Sequence, residues 1–276
     1  MSLLRLLTLA FPILLFPIAS VCPQTPANLV KSPGLSAIDP GHWRPIQNGI
    51  EFRKLTLERS EPRYLIDLKI LRFDARWLTP RLVFSTTFQM TGANVKTLVE
   101  KSGAIAAINA NYFDERGRPL GFLKTATREI NRSLSRSSLF TGVFGVKEFT
   151  AFIQHRDEFN SAQADEALQA GPLLLLRGTA LDVTRGQGRN SRRSVVGIDK
   201  QQRLIIAITD ALLGGLSWVE LQELFSARHW QIETVDLLNL DGGGSAQLYI
   251  KTANINEHVA GTTDIPVAIG LFKKAN

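Results

Sequence analysis

The stretch "LNLDGGGSAQ", Leu238–Gln247, sets one carboxylate and three consecutive glycines between two runs of strand-forming residues. An apolar run from Val235 leads into it, so Leu240 closes a buried strand and Asp241 is carried to the strand's end, where a side chain meets solvent on a rigid backbone. Gly242, Gly243 and Gly244 permit positive φ angles and let a ligand approach main-chain N–H groups closely. An anionic or sugar ligand suits such a turn, and so does a tight structural turn in which Asp241 caps backbone amides. Two sharper readings are excluded. A phosphate-binding P-loop needs Lys and then Ser or Thr after its last glycine, where Ser245 and Ala246 stand. A nucleophile elbow needs glycine two positions after serine, where Gln247 stands, so Ser245 reads as a hydrogen-bonding turn residue.

Working outward, "RLIIAITD" is a strand whose apolar run stops at Asp210, and "SWVELQELFSARHW" is a helix that opens with Ser217 and Glu220 in capping-box spacing. "NVKTLVEKSG" predicts a short helix ending at Gly103, which delivers the chain into the buried strand "AIAAINANYF". "IEFRKLTL", "YLIDLKILRFD" and "RLVFSTTF" read as strands near the start of the folded unit. Many strands with few helices, and no regular alternation of the two, predict an α+β fold: a single mixed-sheet domain over residues 46–276.

The 276 residues are 44% hydrophobic, enough for one sizeable core, and carry 32 basic against 25 acidic side chains for a net charge of +7. That excess suits an anionic substrate or a polyanionic surface. Residues 1–20, with Arg5 ahead of an apolar run broken by Pro12 and Pro17, have the layout of a secretory signal and are poorly suited to a membrane span. Residues 21–45 read as a tether. The single cysteine, Cys22, excludes an intrachain disulfide; it is either a free thiol or a lipid attachment point for membrane anchoring, though bulky Val21 precedes it. The expected location is periplasmic, envelope-associated or secreted.

Other polar positions offer site chemistry. Asn109 and Asn111 alternate along one strand, so both amides can face one ligand; a satisfied buried pair that fixes loops is the competing meaning. Gln169 and Gly171 precede the apolar run "PLLLL". Arg192 and Arg193 end a polar stretch just where the strand "SVVGI" begins, a place from which an arginine can grip phosphate in two-pronged fashion; a solvated basic loop is the plainer alternative. Arg128, Arg132 and Arg136 read as solvated surface. His42, His155, His229 and His258 have no metal-ligand spacing, which argues against zinc, and no cofactor is expected.

Together "INANYF", "QAGPLLLLRG", "RRSVVGID", "ITD", "GLSWVELQELF" and "LNLDGGGSA" resemble, in order and context, the phosphodiester glycosidase family from about Gly49 to the C-terminus. The chain departs from the family pattern at Ala211, where a glycine is usual, and in "DERGRPLGFLK". The resemblance implies hydrolysis of a sugar-1-phosphodiester at the bond between the anomeric carbon and the phosphate oxygen. It implies Asp241, Asp210 and Arg193 as catalytic residues, with Arg193 on the phosphate and Asp241 as base, nucleophile or oxocarbenium stabiliser. Asn109, Asn111, Gln169, Gly171, Gly242, Gly243, Gly244 and Ser245 would bind substrate. The expected partner is a phosphorylated glycan rather than nucleic acid. A non-catalytic protein that binds anionic exopolysaccharide or wall polymer would use the same charge and the same groove, and a different hydrolase on this scaffold is a third possibility.

Overall fold

The computed structural model describes residues 34–183 and 190–274; the expected signal (1–20), Cys22 and residues 184–189 of the polar stretch before Arg192 lie outside them. Strand alternation builds the largest element. Ile50–Ser60 and Arg63–Phe73 pair antiparallel in unbroken register from Ile50↔Phe73 to Ser60↔Arg63. Period-two alternation then sends Phe52, Leu71 and Phe73 to one face and Leu55, Leu57, Ile66 and Leu68 to the other. Both faces are apolar, so both must be covered.

This nine-stranded sheet runs Leu35–Asp39, Ile50–Ser60, Arg63–Phe73, Leu204–Asp210, Ser194–Asp199, Thr234–Asn239, Leu173–Leu176 and Thr179–Ala180, with Arg44–Gln47 added beside Ile50–Ser60. One five-stranded sheet orders Asn256–Val259, Leu248–Lys251, Ala106–Asn109, Val267–Lys273 and Leu78–Phe84; the other orders Thr150–His155, Gly142–Lys147, Glu166–Ala170, Leu123–Lys124 and Glu129–Asn131. The expected α+β domain with few helices is what forms, its strands shared among three sheets whose paired strands are all antiparallel. Two details differ from the sequence reading. Leu35–Asp39 and the start of Arg44–Gln47 fall inside the stretch read as tether, because their backbones extend the large sheet's edge. "RLVFSTTF" is strand only through Phe84 and turns into a 3₁₀ turn at Ser85–Phe88.

The central core lies where the three sheets meet, drawing Phe73, Ile206 and Leu238 from the large sheet, Ile108 and Ile269 from one small sheet and Phe144 and Leu168 from the other. Helix α1 (Val95–Ser102) is capped by Asn94, whose side chain accepts from Thr97 N, and stops at Gly103 with φ of 77°. Its Val95, Leu98 and Val99 cover Ala107 and Tyr249. Helix α2 (Trp218–Ser226) opens with the expected reciprocal capping box of Ser217 and Glu220 and lays Leu221, Leu224 and Phe225 on the outer face of the large sheet. Among the described residues no helix is long and apolar enough to cross a membrane.

Candidate active site

The glycine turn is where the chain changes sheets. Asn239 ends its strand in the large sheet, Leu240 N still donates to Ser194 O at 2.9 Å, and Asp241 N donates instead to Ala110 O at 3.1 Å. Four residues after the triple glycine, Leu248 pairs with Ile108 of the small sheet. Asp241 therefore stands at the junction of two sheets, its backbone gripped from both sides.

Asn109 supplies the second grip. Its Nδ2 donates to Asp241 O at 2.7 Å, while its Oδ1 accepts from Ser194 Oγ at 2.6 Å and Gln247 N at 3.2 Å. The Asp241 carboxyl accepts from Gly242 N at 2.9 Å and from the Ser245 hydroxyl. Burial outweighs these two donors and raises the carboxyl to about 6. Such a group is half ionised near pH 6 and largely ionised at neutrality, which suits it to taking a proton.

Arg193 precedes the Ser194–Asp199 strand and is 8% exposed. Its backbone N donates to Thr209 Oγ1 at 2.6 Å, its Nε donates to Leu216 O at 3.0 Å, and its guanidinium lies 5.2 Å from the centre of the Trp218 ring. Burial lowers its proton affinity from the ordinary arginine value, with the neighbouring Tyr112 phenol acting the other way. Nη1 sits 3.8 Å from the point where a side chain on Gly242 would begin, so the cation faces the residue next to Asp241. A Cβ on Gly242 would also stand 2.8 Å from Arg192 O. Glycine keeps this gap open.

Tyr112 fills the third side. Its hydroxyl donates to Gly171 O at 2.8 Å and accepts from Asn239 Nδ2 at 3.0 Å. Burial and the Asp241 carboxylate beside it push the phenol well above its ordinary value, so it stays protonated. Asn239 Nδ2 also donates to Gly171 O and Leu240 O, both at 2.8 Å. A cation, an aspartate and a neutral phenol thus converge at the ends of strands from different sheets.

Several expected site residues do other work. Asp210 is not brought to Asp241: it pairs with Lys69 Nζ at 2.7 Å, and Lys69 in turn pairs with Glu257 at 2.6 Å. Alternation explains this, since Thr209 is the residue beside Arg193, and Asp210, next along, faces the opposite side of the sheet. Gln169 is fully buried, with Oε1 accepting from Ser135 N and Phe122 N and Nε2 donating to Ser135 O and Phe140 O, so it fixes a loop. Asn109 is likewise spent on the fold. Asn111 donates to Tyr112 O at 2.9 Å and is buried, with its Oδ1 unpartnered. Gly171 takes its place through packing, because a Cβ there would stand 1.8 Å from Leu139 O.

The glycine turn is also less open than its composition predicts. Gly242 N is used by Asp241 Oδ1 and Gly243 N by Arg192 O at 2.9 Å. Gly243 has φ of 58°, and a Cβ on Gly244 would lie 2.6 Å from Thr262 Oγ1. Among the described residues no group of three or more His, Cys, Asp or Glu side chains converges as a metal site.

Residues 102–272 match the phosphodiester glycosidase family. The chain belongs to that family. No curated protein sequence matches it. The fold is similar to that of a hypothetical protein from Synechocystis, at a TM-score of 0.61 and 15% identity over 85% of this chain and 64% of that one. This chain thus spans less than two thirds of the Synechocystis chain. It is also similar to the catalytic domain of zebrafish N-acetylglucosamine-1-phosphodiester alpha-N-acetylglucosaminidase, auto-inhibited by its pro-peptide, at a TM-score of 0.63 and 15% identity over 87% and 88%. At this identity the likeness is one of fold.

In this phosphodiester glycosidase the residues that sequence reasoning left out of the site are Tyr112, Asn239, Thr209 and Trp218. Each adjoins a motif that was read: Tyr112 follows Asn111, Asn239 stands two before Asp241, Thr209 precedes Asp210, and Trp218 follows the helix-capping Ser217.

Proposed function

We propose that the protein is an exported hydrolase that cleaves a sugar-1-phosphodiester, between the anomeric carbon and the phosphate oxygen, on an envelope or extracellular glycan. The observation that carries this reading is that Arg193 and Asp241 both border Gly242 and a protonated Tyr112. Arg193 holds the phosphate and stabilises the negative charge that grows on the leaving oxygen. A phosphate monoester leaves as a stable anion, so no general acid is required. Asp241, as carboxylate, takes a proton from the attacking water; the water oxygen bonds to the anomeric carbon as the C–O bond to phosphate breaks, giving free sugar and a phosphate monoester. The basic balance of the chain and the apolar stretch before Ser20 support an exported enzyme acting on an anionic glycan.

The test is turnover by the purified protein on a panel of sugar-1-phosphodiesters, with and without chelator. Release of free sugar from at least one member, lost in Asp241→Asn, is the expected result. Saturable binding of every member without turnover would identify a binding protein instead.

A further inference from the structure

Beside the Arg193 site lies a cavity of about 510 Å³, within the size range of small-molecule sites. Its walls are Leu139, Leu173, Leu176, Leu181, Pro172 and Trp218. Two of these belong to both places. Trp218 lines the cavity and carries the Arg193 guanidinium on its ring. Pro172 lines it and follows Gly171, whose carbonyl accepts the Tyr112 hydroxyl. Trp218 and Pro172 thus place the cavity next to the Arg193 site.

We infer that the cavity is the subsite for the alcohol half of the phosphodiester, and that this alcohol is aliphatic. The inference rests on the glycosidase reading above, which supplies the phosphate on Arg193. Two features select the class. Seven of the twelve lining residues are aliphatic or aromatic. Two of the polar groups in reach are engaged: Thr141 Oγ1 accepts from Leu173 N at 2.8 Å, and His155 Nδ1 accepts from Asp157 N at 3.3 Å. Against the seven apolar residues the hydroxyl groups of a polyol would lose water without gaining equivalent partners.

The test compares methyl, butyl, hexyl and glycerol phosphate, the products such esters would release, for binding to the full chain by titration calorimetry. Hexyl phosphate should bind at least about tenfold more tightly than methyl phosphate, since each buried methylene contributes up to about fourfold. Glycerol phosphate should gain nothing over methyl. In Leu181→Asp, and separately in Leu176→Asp, the hexyl-to-methyl ratio should fall toward one. A flat chain-length series in the wild type, equal affinity for glycerol phosphate, or no binding of any alkyl phosphate would overturn the assignment, whether or not the variants fold. Turnover of sugar-1-phosphodiesters with no dependence on the ester chain removes the cavity's role and leaves the glycosidase reading intact. A steep chain-length series with no turnover of any diester leaves an aliphatic phosphate site and removes the glycosidase reading.

Discussion

Asn109 and Asp241 are joined through the aspartate's own main chain, with Asn109 Nδ2 donating to Asp241 O at 2.7 Å from the neighbouring sheet. Because Asn109 Oδ1 also accepts from Ser194 Oγ and Gln247 N, one amide ties three segments together behind the carboxylate. Asn109→Ala should leave those buried groups short of partners. We expect a loss of about 2–4 kcal/mol, read as a fall in Tm of roughly 5–15 °C. The kcat should drop more than KM rises, because Asn109 positions the carboxylate without touching substrate. An unchanged Tm would show that the amide's bonds are dispensable.

Asp241 gives a prediction with a definite sign. The folded chain holds this carboxyl protonated to about pH 6, above its ordinary value, through burial. As base it must be ionised, so kcat/KM should rise with pH through an inflection near 6 and level off above it. Stability runs the other way: what the raised proton affinity contributes is fully present in acid and lost as pH rises through about 6. Asp241→Asn should therefore abolish the rising limb with a rate loss of about 10³ or more. It should also be more stable than wild type at pH 8, by on the order of 1–2 kcal/mol, and no more stable at pH 4. Denaturant melts at the two pH values check the sign.

The parts of the site legible in the sequence are those set by one segment. The strand leading to Asp241, the capping box at Ser217 and Glu220, and the turn after Asn239 follow from local pattern, and each forms. Asp210 shows the limit. Its strand end was legible, but Lys69, which holds it, lies 141 residues earlier, and only the register with the Arg63–Phe73 strand shows which face the carboxylate takes. Tyr112 lies within "INANYF", but Gly171 and Asn239, 59 and 127 residues away, are what make it part of the site. The sheet that includes Leu123–Lys124 and Glu129–Asn131 has two strands too short to show periodicity.

Glu220 acts on the site from the first turn of helix α2. Its carboxylate forms a two-pronged pair with Arg59 at 2.6 and 3.0 Å, both side chains buried, and accepts from Ser217 N at 2.8 Å. Arg59 also donates to Gly215 O, next to the Leu216 carbonyl that receives Arg193 Nε. Burial pushes the Glu220 carboxyl up, but the Arg59 guanidinium wins and holds it below its ordinary value. Glu220→Gln leaves a buried charge without its counterion and should cost about 3–5 kcal/mol. The deficit should be largest at neutral pH and narrow in acid, where the wild-type carboxylate is itself protonated. Because the Leu216 carbonyl and Trp218 ring shift with this loop, kcat/KM should fall as well. A variant as stable as wild type at pH 7 would show that the pair contributes nothing net.

The withdrawal of Asp210 bears on stereochemistry. A double displacement asks one group to attack the anomeric carbon and another to activate the water that releases the glycosyl intermediate. Among the described residues, the groups that set the Asp241 carboxyl's ionisation are Ser245 and Gly242, and no second carboxylate is among them. Asp210 is engaged by Lys69 on the other face of the sheet. Asp241 cannot serve as nucleophile and as base for the same sugar at once, while an anionic phosphate leaves without an acid. A single displacement, with Asp241 activating the water, therefore needs fewer groups and uses the ones present. Hydrolysis should invert the anomeric configuration. Proton NMR of the sugar released in the first minutes, before mutarotation, checks this: an α-linked phosphodiester should give the β-anomer first. Initial release of the α-anomer, with a glycosyl adduct on Asp241 trapped by a slow fluorosugar substrate, would make Asp241 the nucleophile and require another group to activate water.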